Sequence, residues 1–266
     1  MTDAPEQPLH SEILWMPSRV PLPDGSRMAR LMATFYPGLQ PPPPRGWPLV
    51  VFSHGSTAGG RHRTDEVLRF EIQARYFLAR GFAMLVPMRR GRGGSESDYV
   101  EWYDPDPLKL GEGLHHALDD LDAAIAFMRN RDDIDGSRIV VAGQSRGGLL
   151  SVLYAGQHGS GLRGSINFSG GWNDTAGATN VFTRDMLLRI GGDAMVPSLW
   201  LYAANDSMFA PDIVRQWHDA YASTGGHAQL YVFPPLEGAD GHCLLDHPDL
   251  WQSAVDAFLH QLGFGW

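Results

Sequence analysis

Ser145 lies at the centre of Gly143-Gln144-Ser145-Arg146-Gly147, a segment that matches the nucleophile-elbow pattern G-x-S-x-G. A serine hydroxyl is a weak nucleophile until a histidine removes its proton, and a carboxylate must orient that histidine. The glycines two residues before and two residues after let neighbouring backbone approach a tight strand-to-helix turn. The chemistry that this arrangement supports is acyl transfer through a serine-bound intermediate.

The segments on either side of Ser145 decide what the pattern means, because a chain with 31 glycines can produce it by chance. The residues RIVVAG before the serine are typical of a short buried strand, and the residues GGLLSVLYAG after it are typical of a helix. This strand–turn–helix order is the context that the motif requires. We therefore take Ser145 as the nucleophile.

Candidates for the acid and the base follow two later predicted strands. The segment SLWLYAA leads into Asp206, and the segment AQLYVF is followed by a loop that contains His242. The order serine, acid, base along the chain is the one that nucleophile-elbow enzymes use. Asp206 is therefore the predicted acid and His242 the predicted base. Asp212, near a helix start, is a weaker alternative acid. Asp240 and Asp246 are close to His242 in sequence but are expected on the wrong side of the site geometry.

The other histidines are poorer candidates for the base. His218 lies in the middle of a predicted helix, and His227 precedes its strand and would emerge at the opposite edge of the sheet. Two histidines and two aspartates that share one helix are interpreted as a solvated face rather than a metal site: His115, His116, Asp119 and Asp120.

The tetrahedral intermediate of acyl transfer needs two amides directed at its oxyanion. One is expected to be the backbone N–H of Arg146, directly after the nucleophile. The other is expected in the loop after the segment PLVVFS, where the amide of Ser56 is favoured and that of Thr57 is the next choice. The side chain of His54, in the same loop, is expected to form structural hydrogen bonds rather than to transfer a proton.

Strands and helices alternate along the chain from residue 48 onwards. Apolar runs such as PLVVFS and FAMLVP suit strands that are buried on both faces. Apolar positions at i, i+3, i+4 and i+7 predict a long helix from about Leu114 to Asn130. Alternation at this spacing predicts a mostly parallel sheet with helices on both faces, in a single domain over residues 1–266.

The sequence resembles the α/β-hydrolase superfamily, and within it the dienelactone-hydrolase-like and prolyl-oligopeptidase-like branches. The segments VVFSHGS, PMRRGRGGS and GQSRGG carry the resemblance, together with the loops that contain Asp206 and His242. The resemblance implies the α/β-hydrolase fold with a central sheet of about eight strands, and ester or amide hydrolysis without a metal or an organic cofactor. Dienelactone hydrolases usually carry a cysteine nucleophile, so the serine here favours a general esterase role over a lactone-specific one.

Two further segments bear on the substrate. The glycine-rich segment RRGRGGS lacks the Gly-Lys-Ser/Thr ending of a P-loop and does not complete G-x-G-x-x-G. It is interpreted as a turn, with one of its arginines, Arg89, Arg90 or Arg92, as an alternative ligand for an acidic substrate group.

The segment of about residues 169–197 is a small lid-like insertion between two predicted strands. A minimal lid favours an open site and short or medium acyl groups. The candidate pocket residues are Trp172 in the insertion, Trp102 and Tyr103 in the loop 99–113, and Thr57. Packing in the protein interior is the alternative role for the aromatic residues.

Composition argues against several other classes of protein. The net charge of -9 disfavours a nucleic-acid or anionic-membrane surface, and the single cysteine, Cys243, leaves no internal disulfide or multi-cysteine metal site. The first twenty residues lack the basic start and apolar run of a signal peptide, and no segment reaches the roughly 18 apolar residues of a membrane span. We expect a cytoplasmic monomer or homodimer whose partner is a small-molecule ester, with no metal or cofactor.

The leading functional hypothesis is a carboxylesterase that forms an acyl-enzyme with Ser145, Asp206 and His242 as its triad. A small peptidase or amidase on the same triad is the alternative, and an acyltransferase is a third enzymatic interpretation. A non-catalytic binding module with the same fold is disfavoured because all three triad candidates are present. Matched ester and amide substrates separate the first two hypotheses, and a fluorophosphonate probe separates catalysis from binding.

Overall fold

Residues 8–56, 65–101, 106–159, 161–172, 180–191 and 193–266 are described by the computed structural model. Its strands are β1 Glu12–Pro21, β2 Met28–Tyr36, β3 Trp47–Ser53, β4 Ala83–Pro87, β5 Ile134–Gln144, β6 Leu162–Phe168, β7 Ser198–Ala203 and β8 Ala228–Phe233. Its helices are α1 Glu71–Leu78, α2 Pro107–Arg129, α3 Arg146–Gln157, α4 Asn180–Gly191, α5 Pro211–Ser223 and α6 Pro248–Gln261. A short 3₁₀ helix, Gly241–Asp246, precedes α6.

All eight of these strands form one sheet in the order β1-β2-β4-β3-β5-β6-β7-β8. The pairs β1–β2 and β2–β4 are antiparallel, and the five other pairs are parallel. The buried apolar residues form one cluster on each face of the sheet, and each cluster contains residues from helices. Helices therefore cover both faces. The predicted mostly parallel sheet of about eight strands is confirmed.

Alternate residues of β3 enter two separate cores, because successive side chains of a strand point to opposite faces. Leu49 and Val51 join the cluster that contains residues of α2, α3, α4 and α5. Val50 and Phe52 join the cluster that contains residues of α1 and α6. All four side chains are fully buried, which is why the sequence of this strand is a continuous apolar run rather than an alternating one.

The parallel register brings the carboxyl ends of β3, β5, β6, β7 and β8 to one edge of the sheet. The residue pairs at this edge are Ser53–Gly143, Gln144–Phe168, Phe168–Leu201 and Ala203–Phe233. Loops that leave strands at a common edge lie close together, whatever their separation along the chain. The segments that carry Ser56, Ser145, Asp206 and His242 are therefore neighbours.

Helix α2 begins at Pro107, earlier than the apolar periodicity at Leu114 predicts. The side chain of Asp106 accepts a hydrogen bond from the amide of Leu108 at 2.9 Å, and proline at the first helical position needs no donor. Leu108 is 77% exposed, so the first turn of the helix lies outside the apolar stripe. Capping chemistry sets this boundary, and a search for apolar spacing does not detect it.

The insertion 169–197 contains α4, for which the sequence gives no clear signal. Leu187 and Ile190 of α4 are buried in the same cluster as Val214 and Trp217 of α5. Helix α4 thus packs the described part of the insertion against helices α5 and α3. Residues 173–179 and 192 lie outside the described ranges.

We expect Trp251→Ala to lower the free energy of unfolding by about 3–5 kcal/mol, the usual loss for a large buried aromatic side chain. Trp251 on α6 is fully buried, its ring contacts Tyr76 and Phe168, and its Nε1 donates to the carbonyl of Leu245 at 3.2 Å. Urea denaturation measures the change. Trp15→Ala on β1, where the tryptophan is 42% exposed, is the control and should cost about 1 kcal/mol or less. Equal losses would contradict the packing described here.

Candidate active site

The turn that carries Ser145 joins β5 to α3. Ser145 has φ 56 and ψ -125, a conformation that costs a non-glycine residue about 1–3 kcal/mol. Its amide donates to the carbonyl of Phe168 on β6 at 2.9 Å, and its carbonyl accepts from the amides of Gly148 and Gly171 at 2.9 and 3.2 Å. These hydrogen bonds hold the strained residue in place, and its side chain is half-buried at the edge of the sheet.

The backbone around Ser145 is packed so closely that two neighbouring positions have no room for an ordinary side chain. A β-carbon on Gly147 would overlap the carbonyl oxygen of Ser53, at the end of β3. A β-carbon on Gly55 would lie 3.0 Å from the β-carbon of Ser145. The loop after β3 therefore lies directly against the serine.

Asp206 and His242 lie on the segments that follow β7 and β8, and their side chains are in contact. The Nδ1 of His242 is 3.2 Å from both carboxylate oxygens of Asp206. The Asp206 side chain is fully buried, and its Oδ1 accepts from the amides of Met208 and Phe209 at 2.9 and 3.0 Å. When Nδ1–H donates to this fixed carboxylate, Nε2 is the ring nitrogen that can accept a proton.

A second carboxylate, that of Asp240, connects the acid and base segments. It accepts from the amide of His242 at 2.8 Å, from the amide of Ser207 at 3.0 Å and from the Ser207 hydroxyl. These hydrogen bonds lower the pKa of Asp240. Asp240 thus binds the backbone of His242, whereas Asp206 contacts the imidazole.

Gln144 connects the nucleophile turn to the base. Its Nε2 donates to the carbonyl of His242 at 3.2 Å. The ring of Phe209 packs against the imidazole with 5.5 Å between centroids. Within the described ranges, no hydrogen bond joins the Ser145 hydroxyl to the His242 ring. Such hydrogen bonds are often long in a free enzyme and shorten when substrate binds.

The two amides predicted for the oxyanion hole belong to the residue directly after Ser145 and to the loop that packs against it. Arg146 is the first residue of α3, so its amide lies in the first turn of that helix. Ser56 is half-buried and follows Gly55, whose backbone packs against Ser145. An oxyanion held here would also benefit from the positive end of the α3 dipole.

His54 is fully buried and has a partner for each ring nitrogen. Its Nδ1 lies 2.8 Å from the carbonyl oxygen of Gly55, and its Nε2 accepts from the amide of Arg89 at 3.3 Å. Burial, together with the nearby charges of Arg89 and Arg92, lowers the pKa of His54 well below its usual value. The ring is therefore a neutral, hydrogen-bonded part of the turn, as the sequence analysis expects.

Two buried ion pairs hold the arginine-rich turn that follows β4. Arg89 pairs with Glu101 through Nε and Nη2, and the two side chains are 2% and 1% exposed. Arg90 pairs with Asp120 through Nε and Nη2, and these side chains are 5% and 1% exposed. Because both guanidiniums are buried in ion pairs, this structure does not support Arg89 or Arg90 as the ligand of an acidic substrate group.

The interpretation of the helix face around residues 115–120 as solvated is correct for His115 and wrong for Asp120. The side chain of His115 is 74% exposed, whereas Asp120 is buried against Arg90. Arg90 lies thirty residues earlier in the chain, so helical periodicity gives no sign of this pairing. Glu101 likewise carries no sequence signal of burial, because a charged residue in a loop usually faces water.

Among the candidate pocket residues, Trp172 is described, whereas Thr57, Trp102 and Tyr103 lie outside the described residues. Trp172 is 1% exposed, and the Arg146 guanidinium lies 4.0 Å from the centroid of its ring. In this structure Trp172 therefore packs against Arg146, next to the nucleophile turn. A role in the pocket remains a prediction for all four residues.

Neither a metal cluster nor a membrane-crossing helix is present in the described part of the chain. No group of three or more His, Cys, Asp and Glu side chains there is arranged to hold a metal ion. None of the helices described combines the length and the apolar character that a bilayer span requires.

Comparison with known families gives a match over most of the chain. The model of the dienelactone hydrolase family matches residues 46–240, from the start of β3 to the residue before the 3₁₀ helix. The quorum-quenching protein AidA of Acinetobacter baumannii is 36% identical over 101 residues, which are 38% of this chain. That match covers only 28% of the relative's own length.

Several solved structures share the fold. A Klebsiella pneumoniae protein assigned as a dienelactone hydrolase has a TM-score of 0.62 at 18% identity, with 96% of this chain and 98% of that chain covered. An esterase of Pyrococcus furiosus has a TM-score of 0.64 at 17% identity, with 95% and 90% covered. A puromycin-hydrolyzing peptidase of Mycobacterium tuberculosis has a TM-score of 0.67 at 19% identity, with 100% of this chain and 42% of that chain covered. At these identities the likeness shows the α/β-hydrolase fold.

We expect Gly147→Ala to lower the free energy of unfolding by about 1–3 kcal/mol, because the added methyl group overlaps the Ser53 carbonyl. Gly111→Ala in helix α2 is the matched control, since a β-carbon there meets no atom within 4 Å. Alanine is the better helix former, so the control should gain about 0.5–1 kcal/mol. Urea denaturation of both variants measures the two changes. Changes of the same sign would contradict the close packing of β3 against the nucleophile turn.

Proposed function

The chain belongs to the dienelactone hydrolase family, and we propose that it is a serine hydrolase that cleaves small or medium carboxylic esters through an acyl-enzyme. The observation that carries the proposal is the contact of His242 Nδ1 with the buried carboxylate of Asp206, at the edge of the sheet where Ser145 forms a strained strand-to-helix turn. This arrangement of Ser145, His242 and Asp206 is typical of a nucleophile beside a general base that a carboxylate orients.

In the proposed reaction, the Oγ of Ser145 attacks the ester carbonyl while His242 Nε2 takes the hydroxyl proton. The imidazolium then donates that proton to the departing alcohol, which leaves an acyl group on Ser145. A water molecule attacks the acyl-enzyme with His242 again as the base, and the acid product is released. Asp206 stabilises the imidazolium through Nδ1–H in both halves of the reaction.

We propose that the amides of Arg146 and Ser56 stabilise the oxyanion that forms in each half. Both belong to backbone next to Ser145, one at the start of α3 and one after Gly55. Amides that are fixed before the reaction stabilise developing charge without reorganisation, and losing one such donor typically costs about 10²–10³ in kcat. The small insertion 169–197 supports an open site for short and medium acyl groups, with Trp172, Thr57, Trp102 and Tyr103 as its proposed lining.

We expect Ser145→Ala and His242→Ala each to lower kcat on p-nitrophenyl acetate, butyrate and octanoate by about 10³-fold or more. The control is His227→Ala, an exposed histidine ahead of β8, which should retain wild-type turnover. The chain-length profile of the wild type outlines the acyl pocket. Turnover that survives in Ser145→Ala would exclude the serine mechanism. Faster hydrolysis of a matched p-nitroanilide would favour the amidase.

We expect Asp206→Asn to lower kcat by about 10⁴-fold, because the amide no longer stabilises the imidazolium and favours the wrong tautomer. Asp240→Asn should lower kcat by less than about tenfold, because that carboxylate binds the backbone of His242 and not its ring. Steady-state kinetics on p-nitrophenyl butyrate compare the two, with near-UV circular dichroism to check folding. A larger loss in Asp240→Asn would show that the acid is misassigned.

A further inference from the structure

The carboxylate of Glu101 contacts two buried arginines, Arg89 in the turn after β4 and Arg146 at the start of α3. Glu101 is 1% exposed. Its Oε1 accepts from Arg89 Nε, and its Oε2 accepts from Arg89 Nη2 at 3.0 Å. Arg146 Nη1 donates to the same Oε2 at 3.3 Å and to the backbone carbonyl of Glu101 at 2.6 Å. One residue thus connects two guanidiniums that come from different loops.

Each of the two arginines also holds one side of the predicted oxyanion hole. Arg89 Nη1 donates to the carbonyl of His54 at 2.8 Å, and its amide donates to the His54 ring. His54 begins the loop that contains Ser56. On the other side, Arg146 carries the second predicted oxyanion amide on its own backbone, and its side chain stacks on Trp172. The two donor segments are therefore joined through Arg89, Glu101 and Arg146.

The positions of the Arg89 and Arg146 guanidiniums depend on the negative charge of Glu101. Burial alone would raise the pKa of Glu101, but the charges of Arg89 and Arg146 outweigh it and hold that pKa well below its usual value. Two buried guanidiniums without a nearby carboxylate would repel each other and move apart or towards water. An ionised Glu101 keeps both in place.

We propose that Glu101 is a positioning residue that fixes the separation of the Ser56 and Arg146 amides, through Arg89 on one side and Arg146 on the other. This inference rests on the proposed function, because the separation matters only if the two amides bind an oxyanion. Oxyanion contacts form fully in the transition state and not with bound ester. Displacement of the amides therefore lowers kcat and leaves KM nearly unchanged.

The test is Glu101→Gln, with kcat and KM measured on p-nitrophenyl butyrate. We expect kcat to fall by about 10–100-fold, less than the loss of a complete donor, with KM within about threefold of wild type. The matched control is Asp120→Asn. Asp120 is equally buried and also pairs with an arginine of the same turn, but the contacts of its partner Arg90 with described residues are to Asp120 and His116, outside both donor segments. It should lose similar thermal stability and keep kcat within about threefold of wild type.

Glu101→Asp is the second variant, and it decides the question if Glu101→Gln does not fold. Aspartate keeps the buried negative charge, but it is one methylene too short to reach both arginines at their present positions. We expect it to fold and to show the same loss in kcat without a comparable change in KM.

The outcomes separate this inference from the function on which it rests. Wild-type kcat in a folded Glu101→Gln or Glu101→Asp, in an enzyme whose turnover requires Ser145, would overturn the role of Glu101 alone. An equal kcat loss in Asp120→Asn would also overturn it, since that result would indicate general destabilisation. No turnover by the wild type, or turnover that does not require Ser145, would overturn the proposed function and this inference together.

Discussion

The close approach of the β3 and β5 backbones at the edge of the sheet is the constraint on which the whole site depends. The end of β3 lies so near the nucleophile turn that position 147 has no room for a β-carbon. The same packing holds Ser145 at φ 56, where the hydrogen bonds of its amide and carbonyl must offset the conformational cost. It also presses the backbone of Gly55 against the serine. A single region of backbone contact therefore fixes the serine relative to the loop that contains Ser56.

The proposed acid and base are held by directional hydrogen bonds in addition to close packing, since a β-carbon on Gly241, beside His242, would overlap the amide nitrogen of Asp206. The parallel pairing of β7 and β8 brings the segments with Asp206 and His242 side by side, but it does not orient their side chains. Two backbone amides orient the Asp206 carboxylate, and Asp240 holds the backbone of His242 through its amide. Gln144 then connects this half of the site to the nucleophile turn. The serine and the imidazole are thus held by different sets of contacts, although they lie at the same edge of the sheet.

The parts of this arrangement that were predictable from the sequence are those that leave a local pattern. Strand β8, Ala228–Phe233, has the predicted bounds because an apolar run between turn residues is a local signal. The predicted strand and helix around Ser145 are also present, but β5, Ile134–Gln144, extends beyond the apolar run RIVVA at both ends. The composition of residues 66–80 is typical of a helix, but α1 begins only at Glu71, because Phe70 before it is in the left-handed region. Asp120 could not be recognised as buried, because its partner Arg90 comes from another segment. Pairings of this kind exist only after the sheet has brought distant loops together.

The buried charges behind the site are better explained by geometry than by stability. An ion pair of this kind is often no more stabilising than well-packed apolar side chains of similar volume, because desolvation of the charges offsets their attraction. An apolar side chain, however, cannot donate hydrogen bonds, whereas a guanidinium donates them in several directions within one plane. Arg89 uses this property to hold Glu101 and the carbonyl of His54 at once. Arg89 and Arg146 carry two positive charges and the Glu101 carboxylate carries one negative charge, so this cluster is net positive. An oxyanion that forms nearby in a water-excluded site would be stabilised by that charge. The turn after β4, together with Glu101 and Arg146, would therefore contribute both the spacing and the sign of charge that the proposed acyl transfer at Ser145 needs.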